Sequence, residues 1–170
     1  MKQLDFRGRP AEGRKSVAES VRSHPGLEEL IIQGGWFGDD DAEELGAALA
    51  HNTSLKRLSL GSCSFGGRGL RGITEALKTS TVIEYLHLYD ILVGDAGAEV
   101  LADLLVSTSS LTHITIAAFI VGETGARTIA DALKVNTTLE VFDISSSKIG
   151  DAGAAALAEA LAVHSSLKRL

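Results

Sequence analysis

LKRLSL, residues 55–60, returns 28 positions later as IEYLHL (83–88), then as LTHITI (111–116) and LEVFDI (139–144), and stands 28 positions earlier as LEELII (27–32). A last LKRL fills 167–170. A fixed spacing of this length marks an array of stacked units and takes precedence over any local propensity. The register runs through seven apolar columns. Three belong to the quoted segments: Leu27-Leu55-Ile83-Leu111-Leu139-Leu167, Leu30-Leu58-Leu86-Ile114-Phe142-Leu170 and Ile32-Leu60-Leu88-Ile116-Ile144. Four follow them: Phe37-Phe65-Val93-Val121-Ile149, Ala42-Leu70-Ala98-Ala126-Ala154, Leu45-Ile73-Leu101-Ile129-Leu157 and Leu49-Leu77-Leu105-Leu133-Leu161. No polar residue interrupts any column.

The hydrophobic period changes within each unit. Around the L-x-L it is two, which is a strand buried on one face. At 98, 101 and 105 the spacing is three and four, which is one stripe of a helix. A glycine separates the two patterns in each unit, at Gly38, Gly66, Gly94, Gly122 and Gly150. An acid follows it at Asp39, Asp95, Glu123 and Asp151, where a carboxylate can cap helix amides and meet the positive end of the dipole. Ser, Thr and Asn then mark the return turn in NTS, STSS and NTT. Each unit is therefore read as strand, turn, helix, turn. Parallel strands with all crossover helices on one side give an α/β solenoid, a horseshoe arc with its sheet on the concave face. Its stability comes from unit-on-unit stacking.

The stretches IGDAGAAALAEAL (149–161) and VGDAGAEVLADLL (93–105) resemble the helix entry of ribonuclease-inhibitor-type leucine-rich repeats. That class also occurs in nucleotide-binding leucine-rich receptors and in the Ran GTPase-activating protein. The resemblance covers residues 27–170 and, weakly, the first 26. It implies the fold firmly and the function only broadly. The class usually carries Asn or Cys three residues past the second apolar strand position, where it bonds neighbouring backbone. Here that column reads Gly35, Cys63, Ile91, Phe119 and Ser147, so only Cys63 keeps the pattern and apolar packing is expected to hold the other loops.

One domain over 1–170 is expected. It comprises a degenerate N-terminal repeat or cap at 1–26, five 28-residue repeats at 27–166, and the start of a truncated repeat at 167–170. Leu4-Asp5-Phe6 matches Leu30-Ile31-Ile32 and opens the short first unit. The chain stops inside a strand, which suggests a piece of a longer array or a homo-oligomer joined through the exposed C-terminal edge.

Composition narrows the function. The net charge of −6 argues against a nucleic-acid partner. The basic lean of Lys2, Arg7, Arg9, Arg14 and Lys15 is expected to be a solvated end. With one cysteine there is no internal disulfide. No run of eighteen apolar residues and no signal-peptide pattern is seen, so a cytoplasmic chain without a membrane contact is expected.

Residues between the core positions of a strand point to the open face. Three rows result. The first reads Gln3, Glu29, Arg57, Tyr85, His113, Val141 and Arg169; the second Asp5, Ile31, Ser59, His87, Thr115 and Asp143; the third Arg7, Gln33, Gly61, Tyr89, Ala117 and Ser145. Aromatic and imidazole rings cluster on the strands at 85–89 and 113–117. Exposed aromatic patches are where binding energy concentrates. The candidate partner-binding residues are Arg57, Tyr85, His87, Tyr89 and His113, with Trp36 two units away. Tyr85 and Tyr89 are expected at the surface, and Ile91 and Phe119 packed inward. Arg57 is expected to pair with Glu29 and cover the Tyr85 ring rather than hold a partner's carboxylate.

No catalytic, cofactor or metal site is legible. His87 and His113 are diagonal, and a metal needs three or four converging ligands. Cys63 has no histidine in a neighbouring row to activate it. The serine run 145–147 has no base, and the 28-residue glycines are turn markers. His24, His51 and His164 fall in helix-to-strand turns and are expected to be solvated. The expected function is protein binding through the concave face, as part of a larger sensor or scaffold. Regulation of a small GTPase or other enzyme is the alternative the resemblance implies, and self-assembly a third.

Overall fold

The computed structural model describes residues 2–8, 16–118 and 121–170. Arg9, Arg14, Lys15, Phe119 and Ile120 lie outside the described residues. Strands and helices alternate in the order β1 (Gln3–Phe6), α1 (Val17–Arg22), β2 (Glu29–Gln33), α2 (Asp39–Leu49), β3 (Arg57–Gly61), α3 (Gly67–Thr79), β4 (Tyr85–Tyr89), α4 (Gly94–Ser107), β5 (His113–Ala117), α5 (Glu123–Val135), β6 (Val141–Asp143) and α6 (Gly150–Val163). The strands form one parallel sheet in sequence order. Its register joins residues 28 apart, as in Leu30 with Leu58 and Leu58 with Leu86. Leu4 pairs with Leu30 and Phe6 with Ile32, across the shorter first spacing. The architecture is an α/β leucine-rich-repeat solenoid with one sheet face open.

Between the sheet and the helices the apolar columns merge into one core. All are buried from the second unit to the fifth strand, and the fit loosens at the last unit. Ile144, Ile149, Leu161 and Leu167 are half-buried, Ala154 is exposed and Leu170 is 54% exposed. A stripe is hidden only where a neighbour covers it, and α6 packs against α5 alone among the described helices. β6 is also shorter than LEVFDI implies. Asp143 Oδ1 accepts the Ser145 N–H at 2.8 Å, a side-chain turn that ends the strand early.

Helix entry departs from the expected capping. Asp39 caps the helix of the following unit, its Oδ1 accepting from the N–H groups of Gly66 (2.9 Å) and Gly69 (2.7 Å) at the start of α3. Asp95 does the same for α5, through Gly122 (2.8 Å) and Gly125 (3.2 Å). One donor of each pair is the N-cap glycine, Gly66 or Gly122, and the other lies in the helix's first turn. The N-cap glycine has no side chain to offer, so the carboxylate one turn of the solenoid earlier serves instead. Gly67 holds the equivalent position ahead of α4, and the longer Glu123 holds it ahead of α6. In both of these helices the first residue is a left-handed glycine, Gly94 at φ 59° and Gly150 at φ 65°. That is a conformation other residues enter at a cost.

Two further columns repeat every 28 residues. Gly34, Ser62, Asp90, Ala118 and Ser146 all have positive φ just past their strands. The N–H groups of the first four donate to the neighbouring unit's backbone, Ser62 to the Tyr89 carbonyl at 3.0 Å for example, and carry the ladder beyond the sheet. In the helix-to-strand turns, Asn52, Ser80, Thr108, Asn136 and His164 accept backbone N–H groups at the following strand start. Asn136 also donates to the Leu105 carbonyl at 2.7 Å, tying two units together. The polar ladder is thus built at these turns. At the other end of the strand Ile91 is fully buried, as expected, and the Cys63 thiol donates to its own strand's Gly61 carbonyl at 3.3 Å. Burial pushes that thiol up to about 11, against the pull of the Gly61 and Gly34 backbone.

The turn histidines differ from the expected solvated set. His51 is exposed, but His24 is half-buried with Nδ1 2.7 Å from the Ser20 carbonyl. His164 Nδ1 accepts the Leu167 N–H at 3.1 Å, and its buried Nε2 has no partner.

Two outcomes follow from these caps. Asp39→Ala and Asp95→Ala are each expected to lower stability by about 1–2 kcal/mol, read as a denaturant midpoint shift, because two amides lose their acceptor. An unchanged midpoint would refute inter-unit capping. His164 is held below the ordinary imidazole value of 6.5 by burial. Its stabilising contribution is therefore complete above that pH and is lost as pH falls through it, when Nδ1 gains a proton and can no longer accept. Hydrogen exchange should show Leu167 protection dropping between pH 7 and 5. His164→Asn, which installs the residue found at 52 and 136, should keep that protection at both.

Candidate functional site

The strand register sets the rows of the open face. Glu29, Arg57, Tyr85 and His113 are directly opposed in sequence, then Val141, with Arg169 bridged to it. Parallel neighbours sit about 4.8 Å apart, close enough for ring-to-ring contact. The Arg57 guanidinium carbon lies 4.8 Å from the Tyr85 ring centroid. Tyr85 stacks on His113 at 4.3 Å between centroids and 28° between planes. Three adjacent strands thus contribute one continuous pile of planar groups. His87 and Tyr89 form a second, tilted pair at 5.1 Å.

The Tyr89 ring lies across the Gly61 backbone of the preceding strand, where any Cβ would fall inside it. Tyr89, laid over Gly61, and Tyr85, held between Arg57 and His113, are half-buried rather than fully displayed, while Arg57 and His87 remain exposed. Arg57 covers the ring as expected, but no ion pair joins it to Glu29; among the described residues its N–H edges meet no carboxylate within 4 Å. Stacking takes one face of the guanidinium and leaves its donors at the rim.

Trp36 is not part of this cluster. Its indole N–H donates to the Gln33 carbonyl at 3.2 Å and its ring meets Phe37 edge-on at 5.6 Å. The indole is thereby folded over its own loop against the core. Leu92 is 70% exposed beside buried Ile91, an apolar tip that one-strand alternation does not foretell.

Electrostatics sort the face further. Although His87 is exposed at its edge, partial desolvation beside the Tyr89 ring holds it below its ordinary value, opposed by the negative charge of Asp143 two strands away. Hydrogen bonds from Ser145, then the charges of Arg169 and His87, hold Asp143 below the usual carboxylate range. The Thr112 hydroxyl donates to the Glu84 carbonyl at 3.2 Å and lies 2.8 Å from His113 Nδ1. A hydroxyl has one proton to give, so Nδ1–H of the ring is the donor of the second bond. A groove of about 400 Å³ follows the first row from Glu29 to Arg169. Among the described residues no three His, Cys, Asp or Glu side chains gather as a metal would require, and no helix is long and apolar enough to cross a membrane.

Gly61 is the position on which the Tyr89 placement turns. Gly61→Ala is expected to destabilise the fold by about 1–3 kcal/mol through overpacking. Most of that penalty should vanish in a Tyr89→Ala background; purely additive losses in the double-mutant cycle would show that the ring does not rest there.

Comparison with known proteins agrees with this architecture. Residues 51–73 and 135–158 match the family model described as Leucine Rich repeat. No curated protein matches the chain. Among solved structures, Leiomodin-1 Actin-Binding Site 2 is similar over 88% of this chain and 92% of its own, with 21% identity and a TM-score of 0.71. The tropomodulin C-terminal domain of Caenorhabditis elegans is similar over 90% and 80%, with 15% identity and a TM-score of 0.63. At those identities the likeness is one of fold, and with the matched segments it supports a leucine-rich-repeat family.

Proposed function

We propose that this chain is a protein-binding module that engages its partner through the open sheet face, with Arg57, Tyr85, His87, Tyr89 and His113 at the centre of contact. The observation that carries this is the pile of Arg57, Tyr85 and His113 across three strands, with the His87–Tyr89 pair beside it. Rigid aromatic groups held in place before binding lose little freedom when a partner arrives. Trp36 drops from the proposed contact set because its indole is satisfied within its own loop. The finer parts of the proposal are a ribonuclease-inhibitor type of repeat, a short unit at 1–26 ahead of five repeats at 27–166, no catalysis, and a cytoplasmic place within a larger sensor or scaffold.

One solved neighbour is by its name an actin-binding site, which makes actin the first partner to try. Co-sedimentation with filamentous actin, alongside capture from cell extract, tests the proposal. Tyr85→Ala with Tyr89→Ala should weaken whichever partner is found by about 2 kcal/mol, roughly thirtyfold in Kd. A partner held equally by wild type and the double variant would place the contact elsewhere. Failure to pellet with filaments would discard actin and leave other proteins in play.

A further inference from the structure

We propose that the guanidinium of Arg57 is a receptor for a carboxylate, so that the protein bound in the groove presents an Asp or Glu side chain to the stack; this rests on the concave-face reading above. Arg57 is exposed and belongs to the groove wall. Its flat face is engaged by the Tyr85 ring at 4.8 Å, and that ring is backed by His113 at 4.3 Å. A guanidinium fixed in this way has lost the side-chain freedom that makes surface ion pairs weak, while its forked donors remain free for a bidentate acceptor.

The surroundings specify the occupant. Arg68 bonds Asp40 at 2.6 Å and Glu43 at 2.9 Å, and Lys78 bridges Glu75 and Asp103. Among the described residues Lys56, Arg71, Arg127, Lys148 and Arg169 make no such ion pair, and what sets Arg57 apart from them is the ring beneath it together with its place in the groove wall. Arg57 has no such partner, although Glu29 is its direct neighbour in the register. Glu29 forms the next wall of the groove, so an incoming carboxylate is turned away from that side and toward Tyr85 and His113. A phosphate polymer is a poor fit, because Glu29 stands beside Arg57 in the groove wall and the chain carries a net charge of −6.

The experiment uses the full chain, labelled with ¹⁵N, and follows the arginine Nε–H signals and the backbone amides of Tyr85 and His113. Two acetylated, amidated peptides are titrated to millimolar concentration: Ala-Trp-Glu-Trp-Ala, and the same sequence with Gln for Glu. The Glu peptide should shift the Arg57, Tyr85 and His113 signals, and the Gln peptide should bind at least tenfold more weakly. Arg57→Gln should lose that preference with the rest of the spectrum unchanged. Arg57→Lys, which keeps the charge without the fork, should retain only part of it. Equal binding of the two peptides, or no groove shift with either, overturns the proposal. So does stronger binding of a thymidine dinucleotide than of the Glu peptide, which would favour nucleic acid. Shifts that grow with protein concentration alone would make a second copy the occupant, and that too would overturn it. A protein partner lost on Tyr85→Ala with Tyr89→Ala but held by Arg57→Gln would leave the concave-face reading standing and remove only the carboxylate.

Discussion

No unit of this chain can bury its own hydrophobic stripe. A five-residue strand and a helix of eleven to fourteen residues have too little surface to enclose Leu58, Leu60, Phe65, Leu70, Ile73 and Leu77. These side chains leave water only when the units before and after press against them. The rest of the structure follows from that constraint: the parallel register at 28-residue steps, the helices on one side, and a sheet whose other face is left to solvent. The gradient of burial at the last unit is the same rule seen where only one neighbour is present.

The open face is a by-product of this stacking, and it is also where chemistry accumulates. Because the register aligns residues 28 apart, a single substitution in one unit is automatically set beside its counterparts. Arg57, Tyr85 and His113 need no special loop to meet; the ladder of backbone hydrogen bonds brings them within contact distance. The same geometry explains why Gly61 and Tyr89 are coupled, one supplying the vacancy that the other fills.

The fold was legible in the sequence because burial in a solenoid is periodic, and periodicity survives without knowledge of the partner strand. The rows of the open face were legible for the same reason. What escaped was whatever depends on direction within a unit. The acid column at Asp39 and Asp95 announced capping, but the spacing alone could not show that the capped helix belongs to the next unit. The left-handed column was obscured by its composition, since Ser62, Asp90, Ala118 and Ser146 share no feature except φ. Trp36 looked like surface because its position lies outside the core columns; its hydrogen bond to Gln33 is a local event with no periodic signature. The turn column Asn52, Ser80, Thr108, Asn136 and His164 was visible as polarity. His164 could have been grouped with it by applying the 28-residue step to the histidines as well.

The inter-unit carboxylates have one more consequence. Asp39 fastens α2 to α3 and Asp95 fastens α4 to α5, but Gly67 provides nothing between α3 and α4, and those two helices pack less closely than the pairs on either side. The array therefore has a closely packed pair, α2 with α3, and a closely packed group, α4 with α5 and α6, meeting at a looser seam that is spanned on the outside by Lys78 with Glu75 and Asp103. That seam lies on the helix side behind β3 and β4, the strands that carry Arg57 and Tyr85. A change in the curvature of the arc would concentrate there, and would open or close the stack like the spine of a book.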